Sequence, residues 1–266
     1  MVFRVVSFLV FLGVLLPVTG HAQSNPDKNK PLEITADDSL EWHRNELYFK
    51  AKKNVKAKQG DTTLLSDLLV AKYRESKTSN IDIYLIQATG RVKIKTSSST
   101  AYGDKAVYDV DKAFAVMTGR NLKLVSEDQT VTAKDKMQYW VNQGRLEAIG
   151  NAVAIREGDK LEADKMIAIF VEDKNGKRVL KSLEGIGNVV ITTPTEVLNG
   201  DRAVYKADTS MAELIDNVKI TRGPNVLEGA RAELNLKTNV SKIFGSSESS
   251  SGRVKGVFFP KSENKP

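Results

Sequence analysis

Ile86-Gln87-Ala88-Thr89-Gly90-Arg91-Val92-Lys93-Ile94-Lys95 alternates with a period of two: Ile86, Ala88, Gly90, Val92 and Ile94 share one parity, and Gln87, Arg91, Lys93 and Lys95 the other. Successive side chains of an extended chain point in opposite directions, so this alternation marks a strand with one buried face. Ninety-seven residues later the pattern returns, with Leu183, Gly185, Gly187, Val189 and Ile191 on one parity. The flanking sequence returns as well. Gly103-Asp104 with Ala106-Val107-Tyr108 maps onto Gly200-Asp201 with Ala203-Val204-Tyr205, and the polar turn at 77–80 maps onto that at 174–177.

Two short phrases carry the repetition through the rest of the chain. A small residue, usually followed by Asp and an alternating apolar run, recurs as Ala36-Asp37, Ser66-Asp67, Gly103-Asp104, Ala133-Lys134, Ala163-Asp164, Gly200-Asp201 and Gly229-Ala230. The successive spacings are 30, 37, 30, 30, 37 and 29 residues. A Gly-Asn-Val-x-Ile phrase interleaves with it, at Lys53-Asn54-Val55, Gly90-Arg91-Val92, Gly150-Asn151, Gly187-Asn188-Val189 and Asp216-Asn217-Val218. The unit is therefore about 30 residues long, and two copies of a three-unit block with a partial seventh unit account for the order of the spacings. Further strands are expected at 106–110, 116–124, 136–141, 161–170, 203–207 and 232–236, with turns at 142–144 and 173–176. No long window sustains helical spacing, so the fold class is all-β, built from about seven such repeats of antiparallel strands.

Composition narrows the function. The 266 residues include 40 Lys+Arg, 33 Asp+Glu, two His and no Cys, which excludes disulfides, thiolate metal sites and cysteine nucleophiles. Arg4, the apolar run over 5–18 and Gly20-His21-Ala22 before Gln23 read as a cleaved signal peptide, residues 1–22. That run is short of the ~20 residues of a membrane-spanning helix. Cleavage lowers the net charge from +7 to +6 and leaves His43 as the sole imidazole, so a histidine-rich metal site is excluded and no nucleophile motif accompanies it. The repeated Asp residues are spaced for repeats and not for one site; local hydrogen bonds to backbone explain them. Gly90 and Gly187 read as bulges or places of close strand packing. The basic residues are spread among acids, which argues against nucleic-acid binding and suits anionic glycolipid headgroups. Residues 23–31 read as a flexible segment, 32–245 as the repeat array, and 246–266 as a polar linker and tail with a short strand around 253–259.

The repeated Gly103-Asp104-Lys105-Ala106-Val107-Tyr108, Ala163-Asp164-Lys165-Met166, Gly200-Asp201-Arg202-Ala203-Val204-Tyr205 and Ala88-Thr89-Gly90-Arg91-Val92-Lys93-Ile94, behind a signal peptide, resemble the OstA-like proteins of lipopolysaccharide transport. That group includes LptA, LptC and the amino-terminal domain of LptD, and the resemblance covers roughly 32–244. It implies an open, incompletely closed β-jelly roll, shaped like a taco, whose interior holds the acyl chains of lipid A, with no enzymatic activity and no cofactor. It also implies a periplasmic bridge protein that passes lipopolysaccharide from inner to outer membrane. Its partners would be LptC-like and LptD-like jelly-roll proteins, or further copies of itself, head to tail. The small residues at the cleavage site favour an LptA-like over an anchored LptC-like role. The second reading is an exported, self-assembling β-solenoid or scaffold with a closed dry core and no lipid; the inward Ala and Gly residues favour room inside.

Parity and repetition assign the interior lining to Ile86, Ala88, Val92, Ile94, Ala106, Tyr108, Leu122, Leu124, Val153, Ile155, Leu183, Val189, Ile191, Ala203, Tyr205, Val218 and Ile220. The two Tyr positions hold only if bulges at Gly103 and Gly200 leave the register unshifted. Unpaired strands at 34–42 and at 232–244 or 254–259 are the expected docking edges. Amino-terminal sequencing of the exported protein should begin at Gln23; a full-length chain held in the inner membrane would contradict cleavage.

Overall fold

The structure is a computed structural model that describes residues 30–75, 81–174, 176, 178–238, 240–246 and 252–259. The expected signal peptide, residues 23–29 and parts of the tail lie outside the described residues. In chain order the strands are β1 (Glu33–Thr35), β2 (Ser39–His43), β3 (Tyr48–Gln59), β4 (Thr62–Glu75), β5 (Ile81–Lys95) and β6 (Ser99–Asp109). There follow β7 (Phe114–Thr118), β8 (Leu122–Ser126), β9 (Gln129–Ala133), β10 (Lys136–Trp140), β11 (Arg145–Arg156) and β12 (Asp159–Glu172). The last six are β13 (Arg178–Thr192), β14 (Val197–Lys206), β15 (Met211–Arg222), β16 (Asn225–Asn235), β17 (Val240–Phe244) and β18 (Lys255–Val257). One 3-10 turn, Val141–Gln143, occupies the expected turn at 142–144. The strand expected over 116–124 is two strands, β7 and β8, because the chain turns sharply at Gly119 between them.

All pairings are antiparallel, and four partners carry two short strands each. β3 pairs with both β1 and β2, β6 with β7 and β8, β11 with β9 and β10, and β16 with β17 and β18. Each short pair is one bent strand interrupted at its bend. Among the described residues eighteen segments with four such interruptions make fourteen bent strands, or seven consecutive pairs, matching the repeat count read from the sequence. The bend divides the array into an upper wall, containing β2, β7, β10 and β17, and a lower wall, containing β1, β8, β9 and β18. Among the described residues the first bent strand pairs only with β3 and the last only with β16, so the roll does not close into a barrel.

The two sequence phrases are the two sides of each bend. Lys53-Asn54, Gly90-Arg91, Gly150-Asn151, Gly187-Asn188 and Asp216-Asn217 all have positive φ, and the strand register slips across each of them. A bulge of this kind bends the strand, and Gly and Asn are the residues that enter the left-handed region at least cost. The preceding strand supplies the carboxylate. Asn54 donates to Asp37 (2.7 Å), Asn188 to Asp164 (2.9 Å), Asn217 to Asp201 (2.8 Å), and Arg91 pairs with Asp67. The Asp residues thus reach across to the next strand's side chain, which corrects the expectation of local backbone bonding. At the third bend the acid bonds backbone, with Arg120 N–H donating to Asp104.

The two 37-residue intervals come from longer hairpins. β4 and β5 continue pairing through Tyr73–Glu75 and Ile81–Ile83, and β12 and β13 through Phe170–Glu172 and Arg178–Leu180, beyond the neighbouring strands of the upper wall. A Cβ at Gly187 would collide with the Asp164 carboxylate, whereas one at Gly158, also at positive φ, would meet nothing. Gly187→Ala should therefore lower the urea midpoint more than Gly158→Ala. Backbone strain alone contributes about 1–3 kcal/mol at either site; equal losses would remove the bend's carboxylate from the account.

Candidate functional site

The bend sets which side chains face inward. The residue directly after the two left-handed positions points into the roll in every case: Val55, Val92, Ala152, Val189 and Val218 are fully buried. The second residue before the pair does the same, as at Ala51, Ala88, Ala148, Gly185 and Leu214. Side chains from both walls join one apolar cluster that runs from Ala88 to Leu236, and Leu64 links it to a smaller cluster of Ala51, Val55, Ala57, Leu69 and Ala71.

Fifteen of the seventeen residues assigned to the interior lie on this inner face. Ala88, Val92, Ala106, Leu122, Leu183, Val189, Ile191, Ala203, Tyr205, Val218 and Ile220 are buried in the main cluster; Ile94 and Leu124 pack against it, and Ile86 packs against the smaller one. Tyr108 sits opposite Ile86 and is half-buried. Burial pushes the Tyr108 phenol up, helped by Asp109, and burial alone does so for Tyr205, so both stay neutral. No bulge turns either Tyr outward.

Val153 and Ile155 are the two corrections. Ala152 and Ala154 are buried to within 1% exposure, while Ile155, on the opposite parity, is 46% exposed on the outer face. The Val-x-Ile of the repeated phrase falls one residue later here, at Val153 and Ile155, than in Gly187-Asn188-Val189-Val190-Ile191, so repetition pointed to the wrong parity, and position relative to Gly150-Asn151 decides the face. Counting from that pair would have found Ala152 and Ala154. Met117, Met137 and Met166 on the inner face were also missed; strand parity alone locates them.

The roll is filled in its middle and open at its ends. Inner side chains from both walls are nearly inaccessible there, so the frequent Ala residues bring the walls together and do not hold a channel open. At the first end Leu40 and Trp42 continue the inner face, opposite Ala51 and Phe49, yet are 54% and 50% exposed because no strand covers them. Trp42 Nε1 donates to the Tyr73 hydroxyl (2.8 Å), and Phe49 lies between the two rings. At the other end Gly256 faces Leu227, and the exposed Phe258 ring packs over Gly256 on that side.

Charges ring this apolar face without entering it. Burial raises the carboxyls of Asp159 and Glu196 at the lower-wall turns, with Glu157 adding to the first and Arg222 opposing at the second. On the outer face of the upper wall burial also acts to raise Glu147, but hydrogen bonds from Lys165 and Arg145 outweigh it and hold that carboxyl below its ordinary value. Among the described residues no group of three or more His, Asp or Glu is placed to hold a metal ion. The face assignment has a direct check in paired variants. Ala154→Asp should cost about 3 kcal/mol or more, because a carboxylate is buried unpaired, whereas Ile155→Asp should change unfolding by less than about 0.5 kcal/mol. The reverse order in urea titrations would invert the assigned faces.

Comparison with known proteins returned a family model and a solved structure. The family model described as LptA/(LptD N-terminal domain) LPS transport protein matches twice, over residues 33–145 and 134–240. Among solved structures, LptH of Pseudomonas aeruginosa, described as the LptA homologous periplasmic component of the conserved lipopolysaccharide transport device, is similar at 13% identity. That match covers 89% of this chain and 100% of that chain, with a TM-score of 0.22. No curated protein matches the chain. Two matches of one family model, together spanning most of the bent-strand array, show that the chain belongs to the LptA/LptD amino-terminal-domain family of lipopolysaccharide transport proteins, which are not enzymes.

Proposed function

We propose that this chain is a periplasmic carrier in which the inner face shields the acyl chains of lipid A and hands lipopolysaccharide from the inner toward the outer membrane. The observation that supports this most is the continuity of the apolar inner face, which runs from Leu40 and Trp42 at one end to Leu227 and Phe258 at the other. Each methylene buried there would gain about 0.8 kcal/mol against water, so acyl chains need no polar recognition. Because the middle is packed, a bound chain must part the two walls or enter from an end. The uncovered terminal strands would receive LptC-like and LptD-like jelly rolls, or further copies of this chain, by strand addition.

The filled middle also supports a second reading, a scaffold with a dry core and no cargo. Native mass spectrometry separates the two, since a carrier purified from cells should retain a lipid A-like mass. A photo-crosslinking residue at Ile94 or Ile191 should capture lipopolysaccharide in cells, and one at Val190, on the outer face, should not. Equal capture at Ile191 and Val190 would exclude the inner face as the binding surface.

A further inference from the structure

The outer face of the lower wall differs between its two halves in a way the fold does not require. On β3, β5 and β8 the outward positions hold Lys56, Lys58, Lys93, Lys95 and Lys123. Among the described residues none of these five has an ion-pair partner. Among the described residues Glu33 is the only acid at the outward lower-wall positions of β1 to β9 short of the bend, where Asp67 and Asp104 are taken up by Arg91 and by the Arg120 N–H; Asp61, Glu127 and Asp128 lie in the turns at the rim, and Asp128 is held by Arg156 (2.8 Å). In the second half the outward lysines of the lower wall stand at other positions and are neutralised. Lys160 pairs with Glu162 (2.9 Å), and Lys219 and Lys255 both lie 3.5 Å from Glu228.

The 97-residue shift gives an internal control. It keeps the inner residues apolar, as with Val92 and Val189 or Ile94 and Ile191, but replaces Lys93 by Val190, Lys95 by Thr192, Leu65 by Glu162 and Tyr102 by Asn199. Leu65 and Tyr102 are exposed and flank Lys93 directly on the neighbouring strands, and the Lys93 ammonium lies 5.4 Å from the Tyr102 ring. The same row continues through Lys123 and Thr132 to Val153, and Ile155, exposed opposite Thr130, stands in the next outward row of the same face. The five free ammonium groups, with Leu65 and Tyr102 among them, therefore belong to one block of the duplication, and Ile155, which stands where the shift places Lys58, borders them from the other.

We infer that this outer face, from β3 to β11 on the lower wall, lies against an anionic lipid leaflet, with the five lysines on headgroup phosphates and Leu65, Tyr102 and Ile155 at the headgroup boundary. A sheet sets such a grid at about 7 Å along a strand and about 10 Å across two strands, which suits a plane of phosphates better than a single polyanionic chain. Tyr, and Lys with its apolar stem, are the side chains suited to the membrane–water interface. The inference does not rest on the carrier reading, because it requires no lipopolysaccharide.

The test is co-sedimentation of the exported protein, parent and variants in the same processed form, with vesicles of phosphatidylethanolamine and phosphatidylglycerol or of phosphatidylcholine alone. The parent should partition to the anionic vesicles and lose binding as salt rises. Lys93→Gln with Lys95→Gln should weaken partition about 30-fold, at roughly one power of five per lysine. Leu65→Ser with Ile155→Ser should weaken it without changing the salt dependence, and Lys160→Gln with Lys219→Gln should leave it as in the parent. Equal binding to both vesicle types, or a Lys93/Lys95 variant that partitions like the parent at an unchanged urea midpoint, would overturn the inference. So would parent that ignores vesicles but is retained on polyglutamate, which would assign the face to an acidic protein.

Discussion

Two left-handed residues facing a carboxylate on the neighbouring strand form the contact on which the rest of the roll depends. Five strands carry such a pair, and at four bends its side chain bonds the facing acid: Asn54 with Asp37, Arg91 with Asp67, Asn188 with Asp164, and Asn217 with Asp201. Because every strand bends at the same level, each contributes half its length to either wall, and the bends stack into a spine. The bulge also advances the chain by an extra residue, so without it every side chain beyond the bend would change face. Inner parity on both sides of the spine is therefore a consequence of the bend and not of the hydrophobicity of any one residue.

That dependence explains what the sequence disclosed and what it did not. The period of about 30 residues, the pairs of strands and the inward set around Val92 and Val189 were legible because backbone geometry demands Gly, Asn and Asp at fixed offsets. Ala152 and Ala154 were illegible to a reading by repetition, since the Val-x-Ile of the phrase stands one residue late at Val153 and Ile155. The partnership of the two phrases was hidden for a different reason. Asp164 and Asn188 lie on consecutive strands 24 residues apart, and only the register brings them together. Likewise, Gly119 gave no sign by composition alone that it divides β7 from β8.

The inner and outer faces answer to different constraints. An inner side chain must fit between two walls, and changing its volume or polarity in a close-packed interior costs stability. An outer side chain meets water, where most substitutions are nearly neutral. Duplication of a three-unit block therefore leaves the inner residues alike, as at Ile94 and Ile191, while the outer positions are free to diverge, as from Lys93 to Val190 or from Leu65 to Glu162. A surface property confined to one block is in this sense independent of what holds the fold together.

The ends obey a parity of their own. The first bent strand runs from the lower wall at β1 to the upper wall at β2, and the last runs from the upper wall at β17 to the lower wall at β18. Fourteen is even, so the terminal strands point in opposite directions. A second copy translated along the roll would place its β1 beside β18 and its β2 beside β17, continuing the antiparallel order in both walls at once. An odd number of strands would have made that junction parallel, which is the weaker pairing. The same translation would bring Leu40 and Trp42 of one copy to the end where Leu227 and Phe258 lie in the next, so that exposed apolar surface at each end would be covered and the inner face would run through the junction.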